Sequence, residues 1–202
     1  MTGHPGARRN LDVALVTDDF RVYHELAPYL ESKGIRVLGL TPSEEVPRSV
    51  RVLLGGPADD ARSVPLRPDR EATLLAIYAR LDERPTARAG YQRVVFGVDP
   101  GHVIGLAVLA DGHWLHVAEA RSPEEAVARV ASWATGLTAQ TWRVHVGDGH
   151  PKQSRGLVPA FRKALPQARV QLVPEEKTSP FRPVTESRHT DAAILVAQRE
   201  PR

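Results

Sequence analysis

The chain contains no cysteine among its 202 residues. Disulfide bonds and zinc sites built on cysteine are therefore excluded, and this composition is compatible with the cytoplasm. Residues 1–10 lack the apolar core of a signal peptide. No apolar run approaches the roughly 20 residues that a membrane-spanning helix requires. We therefore expect a cytoplasmic protein with no membrane partner.

The sequence also lacks a strong excess of charge of one sign. It has 27 Lys and Arg residues against 24 Asp and Glu residues, which gives a formal net charge of +3. So small an excess does not establish nucleic-acid binding, but it permits binding if the basic residues cluster on one face. The length suits one domain, or two small ones, with a buried core.

Residues 1–60 have the pattern of a small α/β domain. Apolar runs at 11–16, 35–40 and 50–54 predict strands, and helical spacing over 18–31 predicts a helix after the first strand. A strand, a helix and a strand within about 30 residues form a βαβ unit, which should be parallel and right-handed. The segment Val16-Thr-Asp18-Asp19 resembles the acidic pair that follows the first strand of a response-regulator receiver.

The third predicted strand ends in Leu53-Leu-Gly-Gly56, which offers no phosphoacceptor aspartate. We therefore predict a receiver-like shape without phosphotransfer, acting as a docking or dimerisation module, so that a homodimer is one expected assembly. Residues 61–91 contain Gly, Pro, Asp and Arg without a period, except for helical spacing over 70–81. We predict a linker with a bridging helix in this segment.

The pattern of residues 92–202 predicts a second domain, in which strands and helices follow one another more regularly. Strands are expected at 93–98, 104–110, 114–119, 142–146 and 169–173, and helices at 122–135, 154–165 and 189–199. Asp111-Gly112 is a hairpin signal, and Ser122, Pro123 and Glu125 have the spacing of a helix start. Three antiparallel strands followed by alternating helices and strands predict a mixed five-stranded sheet flanked by helices.

Three acidic residues stand at the ends of these predicted elements. Asp99 ends an apolar strand, Asp148 ends another between two glycines, and Asp191 stands at the start of an apolar helix. Each also has a structural explanation, because Asp and Gly favour turns and acids favour helix starts. Glu175 and Glu176 follow the last strand and are either a fourth acid or part of a solvated charge run.

Carboxylates that converge from strand ends and a helix start would form an oxygen-rich metal site. Such a site suits Mg²⁺ or Mn²⁺ and not zinc. Two such ions roughly 3.5–4 Å apart can activate a water molecule and stabilise the leaving oxygen in phosphodiester cleavage. Glycines such as Gly101 and Gly105 would let the backbone approach a phosphate or a metal closely.

The segments from 93 to 199 resemble the RuvC/YqgF branch of the ribonuclease-H-like superfamily. Gly97-Val-Asp-Pro-Gly101 is similar to the first-strand motif of RuvC-type Holliday junction resolvases. The spacing from Asp99 to Gly105 is similar to that of a group of archaeal predicted RuvC-like nucleases of unassigned function. The later motifs of that group are matched in the same order by Gly147-Asp148 with Pro151, by Glu176-Lys177 and by Asp191-Ala192.

This resemblance implies a ribonuclease-H-like domain that uses Mg²⁺ or Mn²⁺ to cleave phosphodiester bonds in branched DNA or RNA-containing substrates. The implied catalytic and metal-binding residues are Asp99, Asp148 and Asp191, with Glu175 or Glu176. The chain departs from the pattern at His102, where Ser or Thr is usual, and at Arg188, where the resolvases have an acid or His. A catalytically decayed ribonuclease-H-like protein that binds nucleic acid is therefore the alternative.

Basic residues lie near these motifs and could contact a phosphate backbone. A solvated helix face explains them equally well. The candidates for nucleic-acid binding are Lys152, Arg155, Lys177 and Arg188.

Overall fold

A computed structural model describes residues 12–67, 69–82, 90–174, 185 and 187–199. The chain divides into two compact units, the first comprising residues 1–89 and 135–137 and the second comprising residues 90–134 and 138–202. In the described part of the chain, every helix is too short or too polar to cross a membrane.

The first unit is a parallel sheet with two helices. In chain order it contains β1 (Asp12–Val16), α1 (Phe20–Ser32), β2 (Arg36–Leu40), β3 (Val52–Leu54), β4 (Ser63–Val64) and α2 (Arg70–Leu81). The strand order is β2-β1-β3-β4, and all three pairings are parallel. The buried run 13–16 in β1 is typical of a parallel strand that is covered on both faces.

The segment 61–91, where the sequence predicts a linker and a bridging helix, contains β4 and α2. Both belong to the first unit, since β4 pairs with β3, and Leu74 and Ile77 of α2 are buried in one cluster with Val13 and Leu15 of β1. The helix has the predicted bounds. The sequence did not predict β4, because a strand of two residues is too short to show a period.

One member of the acidic pair after β1 has a structural use. Asp19 is the N-cap of α1, and its side chain accepts a hydrogen bond from the backbone N–H of Arg21 at 2.8 Å. At the corresponding end of β3, Leu54 is followed by Gly55, whose φ of 74° lies in the left-handed region. The backbone at that position therefore favours glycine over any residue with a side chain.

The second unit contains a mixed five-stranded sheet, which confirms the predicted arrangement of strands. Its elements are β5 (Tyr91–Asp99), β6 (Ile104–Ala110), β7 (His113–Ala120), α3 (Pro123–Thr135), β8 (Ala139–Gly147), α4 (Pro151–Ala164), β9 (Ala168–Val173) and α5 (Arg188–Gln198). The strand order is β7-β6-β5-β8-β9. β5, β6 and β7 pair as an antiparallel meander, whereas β8 and β9 run parallel to β5.

Two local signals in this unit are confirmed. Asp111 and Gly112 have φ values of 49° and 81°, as a two-residue type I′ hairpin requires. The hydroxyl of Ser122 accepts a hydrogen bond from the backbone N–H of Glu125 at 3.1 Å, so Ser122 caps the start of α3.

Helices cover both faces of this sheet. On one face, α5 packs against Ala107 and Leu109 of β6. On the other face, Trp133 of α3 contacts His116 of β7, with the two ring centroids 5.2 Å apart. His116 pairs with Val108, which lies between the two residues that α5 covers and so points to the opposite side.

Candidate functional site

Two of the predicted acids follow neighbouring parallel strands. β5 ends at Asp99, and β8 ends at Gly147, so that Asp148 is the first residue after its strand. The strands pair with Val98 beside Val146, which places both acids at the same edge of the sheet. Continuing that register puts Asp99 beside Gly147 and Asp148 one residue further out. Asp99 is half-buried and Asp148 is exposed.

Helix α5 approaches this edge through two glycines. A Cβ atom at Gly97 would overlap the carbonyl oxygen of Ala193, and one at Gly105 would overlap the carbonyl oxygen of His189. Because Gly105 pairs with Asp99, the start of α5 lies over the acidic end of β5, and the rest of the helix runs back along that strand. Glycine is needed at both positions for this close backbone approach.

Asp99 faces α5. Alternate residues of a strand point to the same face, so Asp99 shares the face of Gly97, against which the helix packs. The sequence predicts that Gly105 admits a phosphate or a metal. In the structure the backbone of His189 takes that place. The glycine therefore brings a helix, and not a ligand, close to Asp99.

Asp191 has a structural role at the start of α5. Its Oδ1 accepts a hydrogen bond from the backbone N–H of Thr185 at 2.8 Å, and its side chain is half-buried. Ser187 is the N-cap and accepts a hydrogen bond from the backbone N–H of His189 at 3.2 Å. The Thr185 and Thr190 hydroxyls lie 2.5 Å apart. Asp191 thus holds the turn that leads into the helix.

Replacing Asp191 with Ala is expected to lower the free energy of unfolding by about 1 kcal/mol, because Thr185 loses its acceptor, as when a helix cap is removed. Asp191→Asn is the matched control, since an amide oxygen can still accept this bond while the charge is lost. Urea unfolding of the two variants measures the difference. Equal destabilisation of both would contradict the hydrogen-bonding role.

The described acids do not form one metal cage. Within the described ranges, no three acidic or histidine side chains are placed to hold a metal ion together. In the strand register, Asp148 stands one residue beyond the position beside Asp99. Glu175, Glu176 and Lys177 lie outside the described residues. Their predicted roles stay predictions.

Glu119 of β7 is an acid that the sequence pattern did not single out. It pairs with Gly105, which in turn pairs with Asp99 on the next strand. Paired residues of antiparallel strands point to the same face, so Asp99 and Glu119 flank a glycine that has no side chain. The Ser187 hydroxyl hydrogen-bonds to the Glu119 carboxylate. The sequence signal that could have identified Glu119 is its place opposite Gly105 in the register of the hairpin.

The start of α4 borders the same edge. The side-chain amide of Gln153 donates to the carbonyl oxygen of Gly101 at 3.2 Å, and the Ser154 hydroxyl donates to that of Gly147 at 2.7 Å. These bonds tie the first turn of α4 to the loop after Asp99 and to the end of β8. Lys152, in the same turn, is exposed.

The other described basic candidates are also on the surface. Arg155 is exposed on α4, and Arg188 is exposed at the first position of α5. Among the described residues, Arg188 makes no ion pair, so it does not neutralise Asp191. Together with Lys152, these side chains place positive charge near the acidic edge, where a phosphate backbone could reach them.

The comparison with known families bears on the first unit. Residues 12–79, about a third of the chain, match the model of the response regulator receiver-like domain. The match supports the predicted receiver-like domain and extends past residue 60 to include β4 and most of α2. No curated protein matches the chain.

Proposed function

We propose that the second unit is a ribonuclease-H-like, Mg²⁺-dependent endonuclease that hydrolyses phosphodiester bonds in branched DNA or RNA-containing substrates. The observation that carries this proposal is the position of Asp99. It ends the central strand of a mixed five-stranded sheet, beneath the start of the last described helix. The RuvC-like resemblance of Gly97-Val-Asp-Pro-Gly101 predicts its catalytic acid at this position.

The topology supports the proposal beyond a single motif. An antiparallel meander followed by two parallel strands, with a helix before each, is the arrangement expected from the resemblance. Asp148 and the start of α5 reach the same edge of the sheet in the expected chain order. If Asp99-Pro-Gly101 were only a turn, neither this strand order nor the meeting of Asp148 and α5 at the same edge would be expected.

The acids suit Mg²⁺ in their chemistry, because carboxylate oxygens are hard ligands. A protein usually holds Mg²⁺ through one or two carboxylates, with waters and substrate phosphates completing the octahedron. Asp99 with one further acid is therefore enough for one ion, and the proposed further ligands are Asp148, Asp191 and Glu175 or Glu176. When bound, the metal would activate a water and stabilise the leaving oxygen.

The chain itself would position the substrate. Strand β5 and the overlying helix fix Asp99 at the sheet edge, and Glu119 adds a second carboxylate on the same face. Lys152, Arg155 and Arg188 would bind backbone phosphates, which orient a nucleic acid without reading its bases. The proposed selectivity is therefore for the shape of the nucleic acid.

A decayed site on the same scaffold is the second candidate. It is favoured by the absence of a three-acid group among the described residues and by the exposed Arg188 at the start of α5. Such a protein would bind nucleic acid through its basic side chains and would not cleave it.

The two candidates separate in one set of assays on the whole chain. End-labelled junctions, flaps and RNA–DNA hybrids are incubated with Mg²⁺, with Mn²⁺ or with EDTA, and binding is followed by mobility shift in EDTA. The nuclease predicts cleavage only when metal is present. Binding in EDTA with no cleavage in either metal would support the decayed site, and absence of both binding and cleavage would contradict both candidates.

A further inference from the structure

A basic pocket lies on the α5 face of the second sheet, at the other end of β5 from Asp99. Its volume is about 110 Å³. It is lined by three arginines and a histidine above an aliphatic floor, namely Arg93, Arg143, Arg199, His145, Val95 and Leu109. Arg93 and Asp99 are six residues apart on one strand, which is about 20 Å. The pocket is therefore separate from the acidic edge.

The imidazole of His145 supplies the pocket with a buried polar group. His145 is 2% exposed, and neither ring nitrogen has a partner at ordinary hydrogen-bonding geometry among the described residues, although the backbone of Val196 and Ala197 lies beside the ring. Burying a polar group without a partner costs free energy, so the ring is suited to a ligand that supplies one. Burial, with smaller contributions from Arg143 and Arg93, lowers the pKa of His145 against an opposing effect of the Val196 and Ala197 backbone.

The charges around the pocket favour an anion. Within the described residues, neither Arg93 nor Arg143 forms an ion pair. Arg199 donates a hydrogen bond to the carbonyl oxygen of Pro174. The C-terminal end of α5, at Gln198, carries roughly half a negative charge from the helix dipole, which disfavours a bound anion. The guanidinium groups of Arg93 and Arg143 outweigh that contribution.

The size and donors of the pocket select the kind of anion. Pockets for whole small molecules measure roughly 300–1,000 Å³, so this one suits a single compact group. Guanidinium groups match the oxygens of phosphate with paired N–H donors. We propose that the pocket between Arg93, Arg143 and His145 binds one phosphate group, either free or in a nucleic-acid backbone. The proposal does not depend on nuclease activity.

Nuclear magnetic resonance titration of the full chain with inorganic phosphate tests the pocket, at constant ionic strength kept with chloride. The imidazole signals of His145 and the amide signal of Arg143 are expected to shift in a saturable way. Arg143→Gln should weaken binding about tenfold or more, since a hydrogen bond to a charged group is lost. Arg93→Gln, at an exposed position that should not affect folding, should do the same.

Arg162→Gln is the matched control, because it removes one positive charge from an exposed position on α4. The same titration is repeated with a short DNA duplex that has no terminal phosphates. Comparing the two probes shows whether the pocket binds a backbone phosphate or free phosphate. Binding of either probe that falls in Arg143→Gln but not in Arg162→Gln supports the pocket. No saturable binding of either probe, or equal weakening in all three variants, overturns it.

Discussion

Asp99→Asn is expected to lower metal-dependent cleavage by more than about 100-fold. Loss of a group that only supports a metal ligand typically costs roughly 10–100-fold, and Asp99 is proposed to contact the metal directly. Asparagine has nearly the same shape as aspartate, so the end of β5 and its pairing with Gly105 should persist. The free energy of unfolding should therefore change by less than about 1 kcal/mol.

The matched control for this variant is Asp59→Asn. Asp59 is exposed in the first unit, so the substitution removes the same charge far from the proposed chemistry along the chain. Single-turnover cleavage rates in Mg²⁺ and urea unfolding are measured on both proteins, purified in parallel. Undiminished cleavage by a folded Asp99→Asn protein would contradict the role of Asp99. Equal losses in both variants would show that the effect is not specific to Asp99 and would also contradict its role.

The strands and helices could be predicted wherever the hydrophobic period was long enough to read. Helix α2 and strand β6 have the predicted bounds of 70–81 and 104–110. β5 and β8 extend beyond their predicted apolar runs through exposed polar residues such as Gln92 and Gln140, because backbone pairing continues past them to Tyr91 and Ala139. Hydrogen bonds between main chains are independent of side chains, so the sequence pattern could not show these ends.

The site could be predicted only in part, because it depends on contacts between distant segments. Asp99 was identified from its own strand and turn. Glu119 was not, since only the register that places it opposite Gly105 shows that it shares a face with Asp99. The need for glycine at Gly97 comes from a helix about 100 residues later in the chain, and no local pattern contains that information.

The first unit raises a separate question of partners. Asp19 is used as a helix cap, and β3 is followed by Gly55, so the receiver-like domain has no phosphoacceptor aspartate at that strand end. Its predicted use is still docking to a partner or dimerisation, and dimerisation would give a homodimer. Sedimentation of the chain at several concentrations would measure the oligomeric state directly.

Gly97→Ala is expected to lower the free energy of unfolding of the second unit by about 3 kcal/mol. The new methyl group would overlap the backbone carbonyl of Ala193 and crowd the side chain of Ala197. Overpacking in a core typically costs about 1–3 kcal/mol, and a rigid backbone gives way less easily than the end of a flexible side chain. The α5 face of β5 is therefore a place where one added methyl group should be costly.

Gly156→Ala adds the same methyl group at a position where it should raise the free energy of unfolding. Gly156 lies within α4, and a Cβ atom there would meet no other atom within 4 Å. Alanine in place of a helical glycine typically adds about 0.5–1 kcal/mol, because the unfolded chain then loses less entropy on folding. The two glycine variants should thus change stability in opposite directions, and urea unfolding of each measures this.

Cleavage assays of the folded Gly97→Ala protein then connect packing with function. If α5 relieves the overlap by moving away from β5, its start moves away from Asp99, because Gly105 and Asp99 are paired beneath the backbone of His189. We expect such a protein to lose cleavage together with stability. A variant with unchanged stability and unchanged cleavage would contradict both the close approach of α5 and its part in the site.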